Sequence, residues 1–363
     1  MTAFQGVAAM DELSLTGRPR PTRLPGVPPG VKPPPGGAAS RTCPKVRLRM
    51  DLSLFFAGTA GSVPSARRGL PALLLRAGGD RLLFDCGEGT QQQLLRSIGL
   101  PEVDSVYLTH FHLDHWLGLL GMVKTFDLRA RERPLTLYGP PGLRALVESM
   151  RPVLGRTGYP LALVELEPHA EVRCGGYVVA AFPVDHRARA YGYAFAEDDR
   201  PGRFDAAAAR ALGIAEGPDF GRLQHGEQVG DVRPEQVVGP VRPGRRIVIS
   251  GDTRPCQTTE VYAHGADLLV HEATFLEDER ERARETAHST AAQAAEIARQ
   301  AGVRLLALTH LSTRYFARDV RDEARAIFPA TVVPRDFDAI DVPFPERGEP
   351  RLIRAEGEPA AAS

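Results

Sequence analysis

Residues 109–116 read THFHLDHW, Thr109 through Trp116, and this stretch decides the fold. Three of the chain's ten histidines and one carboxylate fall inside it, directly after the β-rich run Ser105–Leu108. By the period-two alternation of extended backbone, His110 and His112 face one side. A turn then delivers Asp114 and His115 a little further along. Imidazole nitrogen and carboxylate oxygen are the donors that zinc-like ions take in near-tetrahedral sites, and catalytic sites keep a position for water. One segment of this kind can serve two neighbouring ions. Paired ions ~3.5–4 Å apart clamp both the attacking and the leaving oxygen of a displacement.

Other metal-seeking residues share a position: they lie at the ends of predicted strands. SVYLT runs into His110, YVVAAFPVD into His186, RRIVISG into Asp252 and RLLALT into His310. DRLLF ends at Asp85, and DLLV at His271-Glu272. In layered α/β folds, polar groups just past strand ends line a cleft at one edge of the sheet. Strands are predicted at 52–57, 73–76, 81–84, 105–108, 135–138, 177–183, 246–249, 268–270 and 305–308. Helices are predicted at 91–97, 116–127, 142–150, 289–300 and 320–327. The helix over 289–300 begins at Ser-Thr and stops before Ala301-Gly302, good start and stop signals. Strands interleaved with helices indicate an α/β layered domain, and no short repeat points to a solenoid.

Composition narrows the partners. Of 363 residues, 43% are hydrophobic and 25% charged, ordinary for a globular protein. No apolar run is long enough to span a membrane. The N-terminus lacks a basic-then-apolar leader, which predicts a cytoplasmic protein. Cys43, Cys86, Cys174 and Cys256 are far apart with no CxxC spacing, so they read as reduced thiols. The formal net charge is zero, which argues against a generally basic nucleic-acid surface. A polyanionic substrate would need local focusing by arginines or metal ions. Residues 1–49, crowded with proline and glycine, read as a disordered extension, 50–343 as the folded domain and 344–363 as a loose tail.

The pattern HxHxDH, with a later His, an Asp and a final His, resembles the metallo-β-lactamase fold family. Within it the chain is similar to the ribonuclease Z family of tRNA 3′-processing endonucleases. The matching stretches are FFAGTAGSVPSARRG (55–69), LLFDCGEGTQQQLL (82–95), THFHLDH (109–115), SGDTRP (250–255), HEATF (271–275), AHSTAAQAAEIA (287–298) and LTHLSTRY (308–315). HxHxDH alone marks the superfamily; HEAT followed by HST marks the tRNA-processing branch. The resemblance implies a four-layer αββα sandwich with a protruding substrate-binding arm at 197–230. It implies two Zn2+ ions per chain, one on His110, His112 and His186, the other on Asp114, His115 and His310, with Asp252 bridging. Asp114 matches the family's proton acceptor, and Asp85 a carboxylate that orients a ligand imidazole. His169, His225, His264 and His271 read as structural or surface residues.

The leaving group separates the hydrolases of this superfamily. Cutting RNA to leave a 3′-hydroxyl expels a basic alkoxide, which gains about 10²–10⁴-fold from a positioned proton donor. His288 is the candidate acid, with Glu272 to hold it protonated; the alternative is that His288 merely caps the helix that follows. In the arm, Gly217 and Pro218 match a Gly-Pro motif that grips the tRNA body, with Arg222 as a phosphate contact. Related arms carry GKLKxGE where this chain has GRLQHGE, which weakens the expected phosphate contacts. The family also implies a homodimer in which one subunit's arm serves the other's active site. Precursor tRNA is thus the expected substrate. The alternatives are a metallo-phosphodiesterase acting on small or cyclic nucleotides, and a noncatalytic RNA-binding protein on the same scaffold.

Overall fold

In YVVAAFP (177–183), Val178, Ala180 and Phe182 belong to one buried cluster, and Tyr177, Val179 and Ala181 to another. A strand apolar on both faces must be covered on both, and that requirement generates the layers. The computed structural model describes residues 52–355, so the expected extension over 1–49 lies outside the described residues. Contacts divide the described chain into two units, residues 198–243 and the remainder.

The larger unit opens with strands β1 (Leu52–Gly58), β2 (Ala72–Ala77), β3 (Asp80–Phe84), β4 (Ser105–Tyr107), β5 (Leu135–Gly139) and β6 (Leu161–Glu165). It continues with β7 (Glu171–Cys174), β8 (Tyr177–Pro183), β9 (Tyr191–Glu197), β10 (Arg246–Ile249), β11 (Leu268–Glu272), β12 (Leu305–Thr309) and β13 (Thr331–Val332). Two short strands, β14 (Ala339–Asp341) and β15 (Arg351–Ile353), close the chain. One sheet runs β15-β14-β1-β2-β3-β4-β5-β6 and the other β13-β12-β11-β10-β9-β8-β7. In each, antiparallel pairs give way to a parallel set: β3 to β6 in the first, β10 to β13 in the second.

The helices are α1 (Thr90–Ser97), α2 (Leu113–Trp116), α3 (Gly118–Leu128), α4 (Leu143–Leu154), α5 (Ala206–Ala211), α6 (Pro218–Gln224), α7 (Gln257–Ala263), α8 (Arg280–Thr286), α9 (Ala291–Ala301) and α10 (Ala317–Ile327). Leu94 of α1, Leu119, Met122 and Phe126 of α3 and Leu143 of α4 share a core with Leu74, Leu83 and Leu137 of the first sheet. Tyr262 of α7, the alanines of α9 and Val320 of α10 cover the second sheet. Between the sheets, Phe56, Leu75 and Phe84 meet Val179, Phe195, Ile247 and Val270. The architecture is the expected αββα sandwich.

Two features of the packing hold the site. Phe84, Tyr107 and Tyr193 form an aromatic trio across both sheets, with centroids 5.2 Å (Phe84–Tyr107) and 5.3 Å (Tyr107–Tyr193) apart. Each such pair contributes about 0.5–1.5 kcal/mol beyond its buried area. The Tyr193 hydroxyl donates to the Leu108 carbonyl at 2.7 Å, anchoring the backbone just before THFHLDHW. Secondly, α9 is capped by Thr290, whose hydroxyl accepts from Gln293 N at 3.1 Å, with Gln293 returning a bond to Thr290 N. Losing such a cap costs about 1 kcal/mol. The helix ends at Gly302, φ 62°, a left-handed position that favours glycine.

Several boundaries differ from expectation. Strands β6, β7, β9, β13, β14 and β15 were not anticipated, and the helix expected over 116–127 is α3, from Gly118 to Leu128, preceded by the short α2 that ends at Trp116. The helix expected to open at Ser289 begins at Ala291, and α4 runs on past Met150 to Leu154 with Pro152 in its last turn. The segment expected to be a loose tail from 344 instead adds β15 to the first sheet, Leu352 opposite Ile340, because Leu352 has an apolar face to cover.

Residues 198–243 form their own small core of Ala209, Leu223, Val229, Val232 and Val237, with the tilted rings of Phe204 and Phe220 4.8 Å apart. Val232 and Val237 lie beyond the expected end at 230, and packing them extends the unit to Pro243. Arg200 N donates to Arg242 O at 2.7 Å and Arg242 N to Arg200 O at 2.9 Å, so its two ends meet. The Gly217-Pro218 motif is the start of α6, with Pro218 in its first turn. In the larger unit, Glu197 and Arg245 form a buried, two-pronged pair at 2.6 and 2.8 Å, the guanidinium 4.0 Å over the Phe344 ring.

Candidate active site

The first sheet supplies its residues from the loops after β3 and β4. Asp85 takes a left-handed conformation, φ 57°, costly for a non-glycine residue and typical of functional sites. Its Oδ1 accepts from Thr109 N and its Oδ2 faces His115 Nδ1, both at 2.8 Å. Gly87 is obligatory here, since a Cβ would lie 2.2 Å from the Asp114 carbonyl. That close approach seats the FDCGEG loop against α2 and puts Asp85 beneath His115. The second sheet supplies His186 after β8, Asp252 after β10, Glu272 at the end of β11 and His310 after β12. His310 is also left-handed, φ 58°.

The structure brings together all seven expected donors. His110, His112 and His186 form one group, and Asp114, His115 and His310 another, with donor atoms within 4.8 Å of one another. Asp252 Oδ2 lies 3.3 Å from both His115 Nε2 and His310 Nε2, and 3.9 Å from His110 Nε2. Asp114 Oδ2 is 3.5 Å from His115 Nε2 and from His310 Nε2.

Each imidazole but His112 has one nitrogen engaged, leaving the other for the centre. His110 Nδ1 donates to Thr109 Oγ1 at 3.0 Å, and that hydroxyl donates to Asp85 Oδ2 at 2.9 Å. His310 Nδ1 donates to Thr274 Oγ1 at 2.8 Å, and that hydroxyl donates to Glu272 Oε2 at 2.6 Å. These are two parallel relays, imidazole to threonine to carboxylate, one from each sheet. His186 Nδ1 donates to the Ala287 carbonyl at 2.9 Å. Such partners fix the tautomer and aim of a metal-binding imidazole. His112 presents Nδ1 instead, 2.9 Å from His110 Nε2 and 3.3 Å from His186 Nε2.

The donor set fits divalent ions. His115 Nε2 and His310 Nε2 are buried without a hydrogen-bond partner, a cost that a bound cation removes. Burial holds His110 well below its usual range, assisted by neighbouring His115, so its lone pair is available. Burial opposes charge on His115, but Asp252 and Asp85 outweigh it and raise its pKa; a cation would take that proton's place. Burial would raise Asp114, yet the His310 and His115 imidazoles hold it below the carboxylate range.

His288 stands at the rim. Its Nδ1 is 2.8 Å from Glu272 Oε1, a carboxylate 1% exposed that also accepts from Thr253 N at 2.8 Å. Burial opposes a charge on His288, but Glu272 and then Asp252 push its pKa up to about 9. Helix α9 is capped by Thr290, so His288 is not that cap. Its ring lies 5.3 Å from those of His186 and His310.

Sequence reasoning passed over Thr109, Thr274 and Ser62, whose N–H donates to Asp114 Oδ2 at 3.0 Å. The threonines stand inside THFH and HEATF, and a hydroxyl next to a metal-seeking residue was the available signal. His169 bonds the Tyr262 hydroxyl at 2.9 Å, His271 Nδ1 the Glu272 carbonyl at 2.8 Å and His225 Nδ1 the Gly221 carbonyl at 2.5 Å; His264 follows α7, exposed. In the smaller unit, Gly217 and Pro218 open α6, and Arg222 is engaged by Asp219 at 3.2 Å and Glu227 at 3.1 Å.

A model of the beta-lactamase superfamily domain matches residues 80–205 and 221–311. Ribonuclease Z of Myxococcus xanthus is 50% identical over 270 residues, 73% of this chain and 88% of that one. The chain belongs to the ribonuclease Z family. A second ribonuclease Z, from Halorubrum lacusprofundi, is 44% identical over 310 residues, 83% of this chain and all of its own length. The crystal structure of human tRNase Z, short form, superposes with a TM-score of 0.60 at 27% identity, covering 80% of this chain and 99% of that one. The metallo-β-lactamase fold implies divalent metal binding, and the His/Asp clusters offer donors for it. No helix among the described residues is long and apolar enough to cross a membrane.

Proposed function

We propose that this ribonuclease Z removes the 3′ trailer from precursor tRNA, leaving a tRNA 3′-hydroxyl and a trailer 5′-phosphate. His110, His112 and His186 would hold one zinc ion and Asp114, His115 and His310 a second, with Asp252 shared. When bound, such a pair supplies an acidified water and offsets charge on the nonbridging phosphate oxygens. Asp114, steadied by Ser62 N, accepts the proton of the attacking water. His288, kept protonated by Glu272, donates to the departing 3′-oxygen. Asp85 orients His115 and, through Thr109, His110.

The observation that carries this reading is the His288–Glu272 pair at 2.8 Å, beside the donor cluster. An alkoxide leaving group needs such an acid, whereas a thiolate or activated phenolate does not. The similarity to ribonuclease Z and tRNase Z supports the same substrate. We place the enzyme in the cytoplasm as a homodimer whose 198–243 unit, through Gly217, Pro218 and Arg222, grips the tRNA body. One observation favours the metallo-phosphodiesterase reading: residues 198–243 carry eight carboxylates against six arginines. The deciding experiment compares 3′-extended precursor tRNA with a cyclic nucleotide. Cleavage of the tRNA, abolished by chelator and restored by zinc, supports the proposal; turnover of the cyclic nucleotide alone refutes it.

A further inference from the structure

A groove of about 460 Å³ adjoins the metal-seeking cluster through His186. His186 itself lines it, together with Glu167, Pro168, Arg187, Arg189 and Tyr191. Two features set it apart from an ordinary surface crease. Tyr191 is 1% exposed, yet its hydroxyl has no hydrogen-bond partner, a state that buried polar groups rarely keep. Arg189 is exposed and makes no ion pair among the described residues, although Glu167 lines the same groove. By contrast, Arg187 donates to the Glu285 carbonyl, and Asp185 is occupied by Arg254 at 2.8 Å. The groove thus offers one free guanidinium, one unused buried hydroxyl, one free carboxylate and apolar walls from Pro168, Pro183, Ala188 and Ala190.

We infer that this groove is a nucleotide subsite, holding the phosphate and ribose of a residue that flanks the scissile bond. The chemistry matches part by part. A guanidinium forks onto phosphate oxygens. A phenolic hydroxyl and a carboxylate can between them donate to and accept from a ribose 2′-hydroxyl, the group that distinguishes RNA from DNA. Glu167 keeps the groove from being broadly anion-attracting, so it takes one phosphate rather than a run of them. Continuity with His186 fixes the range: the occupant must be within about one or two nucleotides of the cut. Residues 198–243 carry more carboxylates than arginines, so this groove supplies substrate contact close to the donor cluster.

The inference rests on the tRNA-processing reading, and its test separates the two. Precursor tRNAs are prepared with a single neutral methylphosphonate at each phosphate flanking the cut, on the tRNA side and on the trailer side. Binding and single-turnover cleavage are measured for wild type, Arg189→Ala and Arg189→Lys. At one position wild type should lose about tenfold or more in affinity. Arg189→Ala should already show that loss on unmodified RNA and lose nothing further at that position, while Arg189→Lys recovers part of it. The position identifies which side of the cut the groove holds. The salt slope of Arg189→Ala should be shallower by about 0.7–0.9, the share of one phosphate. Tyr191→Phe should narrow the preference for a 2′-hydroxyl over a 2′-deoxy residue at the same nucleotide. If wild type and Arg189→Ala lose equally at every position, the subsite is wrong while tRNA processing stands. If wild type does not cut precursor tRNA at all, the broader proposal falls first.

Discussion

Replacing Glu272 with Gln removes the carboxylate that keeps His288 protonated. Burial alone would push the imidazole below its ordinary 6.5; Glu272, 2.8 Å away, and then Asp252 push it up to about 9. A rise of that size corresponds to about 3 kcal/mol favouring the protonated form. The sign follows directly: the acid form is populated below about pH 9 and lost as pH rises through it, so kcat should fall on that alkaline limb. Its contribution to folding is likewise full below about pH 6.5 and lost through about pH 9. If the variant's imidazole returned to its ordinary value, the protonated fraction at pH 8 would drop from about nine-tenths to about one-thirtieth. The rate at pH 8 would fall roughly thirtyfold, but less than twofold at pH 6. Asp252 remains to hold the value up while burial draws it down, and the ordinary value is the midpoint taken here. Single-turnover cleavage of 3′-extended precursor tRNA from pH 5.5 to 9.5, at saturating zinc, reads the limb. An unmoved limb with an equal loss at every pH would show that Glu272 does not set the protonation of His288.

His288→Ala should keep its metal yet slow tRNA cleavage by about 10²–10⁴-fold. An aryl phosphodiester, whose leaving group needs no proton, should lose far less; equal losses would make His288 structural. Replacing residues 200–242 with a short linker, which the Arg200–Arg242 pairing permits, should lower precursor-tRNA cleavage by orders of magnitude with metal content unchanged. Wild-type rates in that deletion would make the unit a bystander. Asp219→Asn with Glu227→Gln frees Arg222, so tRNA binding should tighten and its salt slope steepen by about 0.9; an unchanged slope would remove Arg222 from the contact surface. Arg245→Met leaves Glu197 buried without its partner and should cost about 3–5 kcal/mol in chemical denaturation. A loss below 1 kcal/mol would mean that water reaches Glu197.

The site was more legible than the frame around it. His110, His186, Asp252 and His310 each follow an apolar run, so strand prediction and donor chemistry pointed to one sheet edge. Strand β9, YGYAFAE, escaped notice because alternating glycine and alanine dilute its apolar signal, although Tyr193 and Phe195 are core residues. Strands β13 to β15 have two or three residues each, too few for a period to show. The distinction between His288 as acid and as helix cap could not be read from AHST, because His288, Ser289 and Thr290 all precede the helix. It took the Thr290–Gln293 bond to free His288 from that role. Likewise, the Arg222 clamp depends on the α6 turn that brings Asp219 and Glu227 around it, a contact that composition does not reveal.

The most direct test of two-metal trailer removal is to map both product ends from one precursor tRNA and measure metal in the same preparation. Two zinc ions per chain, a tRNA ending in a 3′-hydroxyl and a trailer beginning with a 5′-phosphate are the expected results, with His110→Ala losing metal and cleavage together. Cleavage that persists in metal-free protein, or a tRNA left with a 3′-phosphate, would contradict it.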